Sequence, residues 1–390
     1  MAADEVLAVG LMSGTSLDGL DLAAVRFRFG GDAVDFELVA TAAEPWSPEW
    51  QARLAALPQA AALDYAKAHV DFAHTCGLAL RRFLVGHGLQ PDLVAAHGHT
   101  VFHQPHRHFT AQIGCGQTLA SYVACPVVTD FRPRDIAEGG EGAPLVPFGE
   151  LHLFPAYRLF LNLGGIANLS ILQRAGAPPL NLVSRLRHPP RYLACDICPL
   201  NQVLNALARR HDPNLAYDPQ GEIARSGRLL PELLAALDAL PLYAMLPPRS
   251  TGREWIEEEV WPLIDATAAP PADLLRTCTE HAAGQIAAEC QRQGLHSETL
   301  LVTGGGAHNA FLIECLADRL ALRGLAVEVP PAALVNFKEA LVFAFLGACT
   351  LRGLPNHLPD TTGARRAAVL GAIHLPAQWH VSRSPSAPSV

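Results

Sequence analysis

Gly10-Leu11-Met12-Ser13-Gly14-Thr15-Ser16-Leu17-Asp18-Gly19-Leu20-Asp21 decides how this 390-residue chain is read. Val6 to Val9 leads in as an apolar run and Leu22 to Val25 leads out as another, so the stretch reads as strand, tight turn, strand. The turn carries the hydroxyls of Ser13, Thr15 and Ser16, the carboxylates of Asp18 and Asp21, and glycines that let backbone approach a ligand. Its N–H and hydroxyl groups suit phosphate oxygens, and its carboxylates suit Mg²⁺. A plain Gly/Ser hairpin has the same composition, so the rest of the chain must choose.

The pattern returns in the second half. Leu159 to Leu163 is an apolar strand, Gly164-Gly165 a turn, and Ala167 to Leu172 a returning strand. Two such units predict duplicated domains facing each other. A third glycine turn, Gly304-Gly305-Gly306, follows the strand Leu300 to Thr303 and precedes a helix over 309–322.

Between these turns, strands alternate with helices. Helical spacing of Leu63, Ala66, Val70, Ala73 and Leu78 predicts a helix over 59–86, stopped by Gly86 and Gly88. Short strands are expected at 93–96 and 127–129, and helices at 117–124, 272–294 and 337–351. Tyr192 to Cys195 predicts a strand ending before Asp196, with Pro199 in the first turn of the next helix. The reading is α/β, with a ligand cleft where the glycine turns converge. The loop Gly139 to Pro144 suggests a domain boundary, giving 1–136 plus about 355–378 as one domain and 137–354 as the other. The Pro- and Arg-rich stretch 173–191 reads as a surface excursion, and 379–390 as a disordered tail.

Composition narrows the chemistry. Half the residues are hydrophobic and 17% are charged, as in compact globular proteins. A net charge of −8 without a long basic run argues against nucleic acid or an anionic membrane as the main partner. No apolar run reaches 18 residues and the N-terminus is acidic, so the expected compartment is the cytoplasm. Nine cysteines, an odd count, suit reduced thiols better than a disulfide framework. The lysines are Lys67 and Lys338, and neither follows a glycine-rich turn, so a Walker-type P-loop is excluded.

Several polar residues follow short buried strands: His97, Thr100, Arg132 and Asp135. They suit a sugar-binding wall, with Arg132 able to meet a carboxylate, or else internal hydrogen bonds that fix loops. Cys195-Asp196-Ile197-Cys198 has C-x-x-C spacing but neither a second pair nor a thioredoxin-like context. His103, His106 and His108 read as loop histidines. Asp196 is either a reactive carboxylate or a helix cap.

These segments together resemble the signature of the anhydro-N-acetylmuramic acid kinases. Leu11 to Gly19 is followed, in the family's order, by His97 to His103, Gln112 to Gly114, Asp130 to Arg132 and Asp135 to Pro147. Asn162 to Asn168, Ser250 to Glu254 and Thr303 to Asn309 complete the set, over roughly 6–375. The resemblance implies two RNase H-like domains of the actin, Hsp70 and sugar kinase type, with ATP in the interdomain cleft. It implies hydrolytic opening of the 1,6-anhydro ring of anhydro-N-acetylmuramic acid, phosphorylation of O6, and a homodimer. The phosphate site would be Gly14, Thr15, Ser16, Leu17, Asp18, Gly19, Leu20 and Asp21, with Gly164, Gly165, Gly304 and Gly305 along the nucleotide. Asp18 or Asp21 would hold Mg²⁺, and Asp196 would be the base, heading Asp196-Ile197-Cys198-Pro199-Leu200-Asn201. Cys198 and Leu200 replace glycines of that motif, while His99 and Glu141 stand where many relatives have Gln. The altered motif keeps a non-catalytic nucleotide- or sugar-binding relative open as a reading, and the same superfamily keeps open a kinase of an ordinary sugar hydroxyl.

Overall fold

A computed structural model describes residues 4–14, 17–30, 33–172, 192–246, 249 and 251–377. The expected excursion at 173–191 and the tail lie outside the described residues. The chain divides into two units, cut after Leu153 and again after Lys338. The strands in chain order are β1 (Asp4–Met12), β2 (Gly19–Gly30), β3 (Ala33–Pro45), β4 (Leu93–Ala96), β5 (His99–Gln104), β6 (Phe109–Ile113) and β7 (Val127–Thr129). Next come β8 (Leu159–Leu163), β9 (Ile166–Leu172), β10 (Tyr192–Pro199), β11 (Thr299–Thr303), β12 (Ala326–Glu328) and β13 (Ala372–His374).

In the first unit the sheet order is β13-β7-β4-β1-β2-β3. β1, β2 and β3 form an antiparallel meander, and β4 and β7 run parallel to β1. The second unit has the order β10-β9-β8-β11-β12. Here β8, β9 and β10 form the meander, and β11 and β12 run parallel to β8. Strand for strand the two patterns match, with β13 added to the first, so the duplication expected from the repeated strand–glycine–strand units is present. Each is an RNase H-like sheet.

β1 is buried on both faces, and its alternation assigns each side. Val9 and Leu11 join the cluster that contains Phe72, Leu80 and Phe83 of the helix Ala62–His87. Gly10 faces the helix Ala332–Leu351: a Cβ there would stand 1.8 Å from the Ala340 carbonyl oxygen. Only a glycine lets that helix lie directly on the strand. The helix is long and apolar enough to cross a membrane by length and composition, but 67% of its most apolar window is buried within the protein. Its run from Ala340 to Thr350 is wholly buried, with Phe345 against Phe27 and Phe148. In the second unit the helices Asn201–His211, Pro271–Arg292 and Ala310–Ala321 bury Leu207, Ile286 and Leu316 in one core with Leu161, Leu163 and Val302.

Three local expectations need correction. In the helix Ala62–His87, Leu63, Val70 and Leu78 are exposed, and the buried face is Ala68, Phe72, Cys76, Ala79, Leu80 and Phe83. The sequence has two apolar stripes, and the one with the aromatic rings packs. Pro199 ends β10, paired with Ile166, instead of opening a helix; the helix begins at Asn201. The glycine loop at 139–144 lies within the first unit, not at its edge. Glu141 N–H donates to the Thr362 carbonyl at 2.7 Å and Gly142 N–H to Asp135 Oδ2 at 2.6 Å. Gly140 has no room for a side chain, since a Cβ there would be 2.3 Å from Asp135 Oδ2. Gly140 serves close packing rather than a linker.

Candidate active site

In the first unit the turn between β1 and β2 is pinned from outside. Trp46 N–H donates to the Asp18 carbonyl at 3.2 Å, and Gln51 Nε2 to the Leu17 carbonyl at 3.1 Å. Leu17 holds a left-handed backbone, φ 60°, which a leucine adopts only under constraint. Gly19 N–H donates to Asp18 Oδ1 at 2.9 Å. Thr15 and Ser16 lie outside the described residues; Gly14 and Leu17 are half-buried, and Leu20 turns into the core.

Asp21 faces Met12 across the ladder. Burial, then the negative charges of Asp18 and Glu339, push its carboxyl up to about 7. The folded state therefore binds this proton more tightly than the unfolded chain, whose ordinary value is 3.8. The protein should lose stability as pH rises from about 4 to about 7, with no further loss above. Solvent access reduces the expected cost to about 1 kcal/mol. Asp21→Asn, which does not titrate, should melt roughly 2–4 °C higher than wild type at pH 8, and the gap should close by pH 4. Thermal unfolding at both pH values checks it; a constant gap refutes the charge argument.

The polar wall of the first unit is a chain of hydrogen bonds. His97 Nδ1–H donates to the Gly98 carbonyl at 2.9 Å, and its Nε2 accepts from Arg132 Nε at 2.8 Å. Burial and the Arg132 charge keep this imidazole neutral, well below its ordinary value. Arg132 Nη1 donates to the Gly142 carbonyl at 2.7 Å, and Gly142 is held by Asp135. Asp135 is fully buried, with Oδ1 also meeting Thr362 Oγ1 at 2.7 Å and His357 Nδ1 at 2.6 Å. Both of its oxygens are engaged, and one of them holds Gly142, whose carbonyl meets Arg132. Gln112, which sequence reasoning left as a motif member, donates through Nε2 to Thr110 Oγ1 at 2.7 Å and Thr100 Oγ1 at 3.3 Å. Its buried Oε1 has no hydrogen-bond partner among the described residues.

The second unit gathers its glycine turns at the carboxyl ends of β8 and β11. Leu200 N–H and Gln202 N–H donate to the Gly165 carbonyl at 2.9 and 3.2 Å, and Asn201 N–H to that of Gly164 at 3.3 Å. The carbonyls of the Gly164-Gly165 turn are therefore engaged by the start of the helix Asn201–His211. Gly304 (φ 84°) closes on Leu163, and Gly305 lines a cavity of about 470 Å³ with Asn201, Asn205, Tyr217, Gln220 and Asn309. Strand-end crevices of this size are where open α/β sheets bind ligands. Thr303, next to that turn, has a buried hydroxyl with no hydrogen-bond partner among the described residues.

Asp196 sits within β10, not after it. It pairs with Asn168 just before a bulge that leaves Ile197 outside the ladder. The carboxylate does not cap the following helix, whose cap position is Leu200 with no side-chain cap bond. Instead Oδ2 accepts from Thr251 N–H at 3.0 Å. Thr251 also lines a cavity of about 600 Å³ with Leu242, Met245, Gly252 and Trp255. Neither Cys198 nor Leu200, which stand where the motif has glycines, has a positive φ. Both motif thiols are buried, and burial pushes each up to about 12, which removes a reactive-thiolate role. Sequence reasoning missed Arg249, whose buried guanidinium donates through Nε to the Asp196 carbonyl at 2.9 Å. No local signal marks it, because its partner Glu289 lies 40 residues on.

Two units with one RNase H-like strand order, the first with a pinned turn between β1 and β2 and the second with glycine turns beside a cavity, define the class of fold. The family model for anhydro-N-acetylmuramic acid kinase matches residues 6–376. The chain is 36% identical over 388 residues to the anhydro-N-acetylmuramic acid kinase of Xylella fastidiosa, covering 94% of this chain and 96% of that one. It is 37% identical over 382 residues to that of Bordetella pertussis, with 94% and 96% covered. Among solved structures, the xylulose kinase of Rhodospirillum rubrum aligns at a TM-score of 0.40 and 14% identity, covering 96% of this chain and 94% of that one. The chain belongs to the anhydro-N-acetylmuramic acid kinase family.

Proposed function

We propose that this kinase opens the 1,6-anhydro ring of anhydro-N-acetylmuramic acid with water and transfers the γ-phosphoryl group of ATP to O6. The product is N-acetylmuramic acid 6-phosphate. The observation that carries the reading is Asp196, a carboxylate that caps no helix and accepts from the backbone N–H of Thr251, a residue that lines a cavity of about 600 Å³. Water attacks C1 as its proton passes to Asp196. The C1–O6 bond breaks, and O6 takes the phosphorus as the bond to ADP breaks. One carboxylate suffices where an inverting glycosidase uses two, because the phosphoryl group receives the leaving oxygen.

The remaining residues bind and orient. The Gly14–Asp21 turn holds phosphates through N–H and hydroxyl groups, and Gly304 and Gly305 border the nucleotide. Gly165 and Gly164 shape the helix start behind them. His97, Thr100 and Arg132 face the sugar, with Asp135 holding Arg132 in place. Among the described residues no group of three or more His, Cys, Asp or Glu could hold a metal by itself, so Asp18 and Asp21 would be the protein's share of a Mg²⁺ site completed by the phosphates, whose charge the ion would neutralise.

The test is ADP release with the anhydro sugar or with N-acetylmuramic acid, in ¹⁸O-labelled water. The expected result is ADP with the anhydro sugar only, and one labelled oxygen at C1 of the product. Preference for the open sugar points to an ordinary hydroxyl kinase; tight binding of ATP and sugar without ADP points to a non-catalytic relative.

A further inference from the structure

Asp196 lies on an edge strand. β10 pairs with β9 on one side and closes the sheet on the other, so the outward backbone groups of Asp196 need partners from elsewhere. Arg249 supplies both. Asp196 N–H donates to the Arg249 carbonyl at 3.1 Å, and Arg249 Nε donates to the Asp196 carbonyl at 2.9 Å. Two residues on, Thr251 N–H reaches the carboxylate itself at 3.0 Å. One short segment thus grips the backbone and the reactive group of Asp196 together.

The segment is itself anchored by charge. The side chains of Arg249 and Glu289 are both fully buried, with Nη2 2.8 Å from Oε2. Nη1 donates to the Met245 carbonyl at 2.9 Å. Glu289, on the helix Pro271–Arg292, also accepts from Arg292 Nη2 at 2.6 Å and from Gln293 Nε2 at 2.8 Å. A buried ion pair is a poor means of stabilising a fold, since desolvation offsets most of the attraction and an apolar pair of the same volume does as well. What it supplies is a fixed position: a guanidinium fork satisfied in three directions has one placement.

We infer that Arg249 and Glu289 are positioning residues for catalysis, holding Asp196 in register and its carboxylate against the Thr251 N–H. The inference rests on Asp196 being the base. Misplacing a reacting group by about 1 Å costs on the order of 10²-fold, and losing an N–H donor to the ionised carboxylate raises its pKa.

The test compares Arg249→Met, Arg249→Lys and Glu289→Gln, each alone and with Asp196→Asn, by ADP release with ATP and the anhydro sugar. Arg249→Met and Glu289→Gln should lower kcat by roughly 10- to 100-fold, leave KM for ATP within about twofold, and move the acidic limb of the kcat–pH profile upward. Arg249→Lys, whose ammonium still meets Glu289, should recover most of the turnover. In the Asp196→Asn background the same changes should cost nothing further. Glu289→Gln keeps the shape while removing the charge and turning one acceptor oxygen into a donor, so it reports even where Arg249→Met fails to fold. Equal losses with and without Asp196, or a lowered melting point with an unmoved pH profile, overturn the proposal while leaving the base assignment standing. Full turnover in Asp196→Asn overturns the base assignment, and the proposal with it.

Discussion

Asp196→Asn should lower turnover by about 10³-fold or more while leaving the affinity for a non-hydrolysable ATP analogue unchanged. The substitution is close to isosteric, and the Asn oxygen can still accept from Thr251 N–H, the bond that holds the native carboxylate at 3.0 Å. Folding should therefore be preserved, and the loss would be that of a proton acceptor. Asp196→Glu keeps the acceptor but moves it by one methylene, so it should retain more activity than Asn yet far less than wild type. Single-turnover ADP release and calorimetry on the same samples make the comparison. Normal turnover in the Asn variant would falsify the assignment.

A second large effect is expected at Asp135, in stability. Its carboxylate accepts from Gly142 N–H at 2.6 Å and Thr362 Oγ1 at 2.7 Å, and meets His357 Nδ1 at 2.6 Å, with no exposed surface. His357 Nε2 accepts from Ala368 N–H, which places the ring proton on Nδ1, toward Asp135. Asp135→Ala strands these donors in a dry interior and should cost about 3–5 kcal/mol. Burial alone would push the carboxyl up, but the bonds from His357, Thr362 and Gly142 outweigh it and hold it below its ordinary 3.8. Its stabilising contribution is thus complete above that value and fades as pH falls through the lower folded value. The gap in melting midpoint between wild type and Asp135→Ala should be widest near neutrality and shrink in acid. Since Gly142 also carries the Arg132 contact, any folded remainder should show a raised KM for the sugar.

Much of this fold was legible because its signals are local. A short apolar strand, a glycine pair and a returning strand at 159–172 announce a hairpin, and the same grammar at 6–25 announces its counterpart. β3 is longer than its sequence suggests, since Ala33 to Pro45 mixes Glu, Thr and Ala without a clean alternation. Its partner β2 holds it in place more than its own propensity does. Pro199 misled because proline opens helices more often than it ends strands, yet on an edge strand its missing N–H costs nothing.

The site divides the same way. Asp196, the first turn and the glycines stand out as residue types at fixed spacings. The grip of Arg249, the Glu289 beneath it and the closure of Asp135 by His357 and Thr362 depend on residues 40 to 227 positions apart. Spacing cannot show those pairings; only the packed chain can. The same packing shows the loop-fixing bonds of Asp135, one of the two readings that its residue type left open.

The cysteines carry one more consequence. All nine are unpaired and all but Cys115 are buried, and burial pushes Cys125, Cys195, Cys198, Cys278 and Cys290 up to about 12. Thiols so protonated and enclosed stay silent toward alkylating reagents while the protein is closed. Four of those five lie in the second unit and one in the first. Their alkylation, read cysteine by cysteine, therefore makes the native chain an unlabelled chronometer of its own opening, timing each half separately.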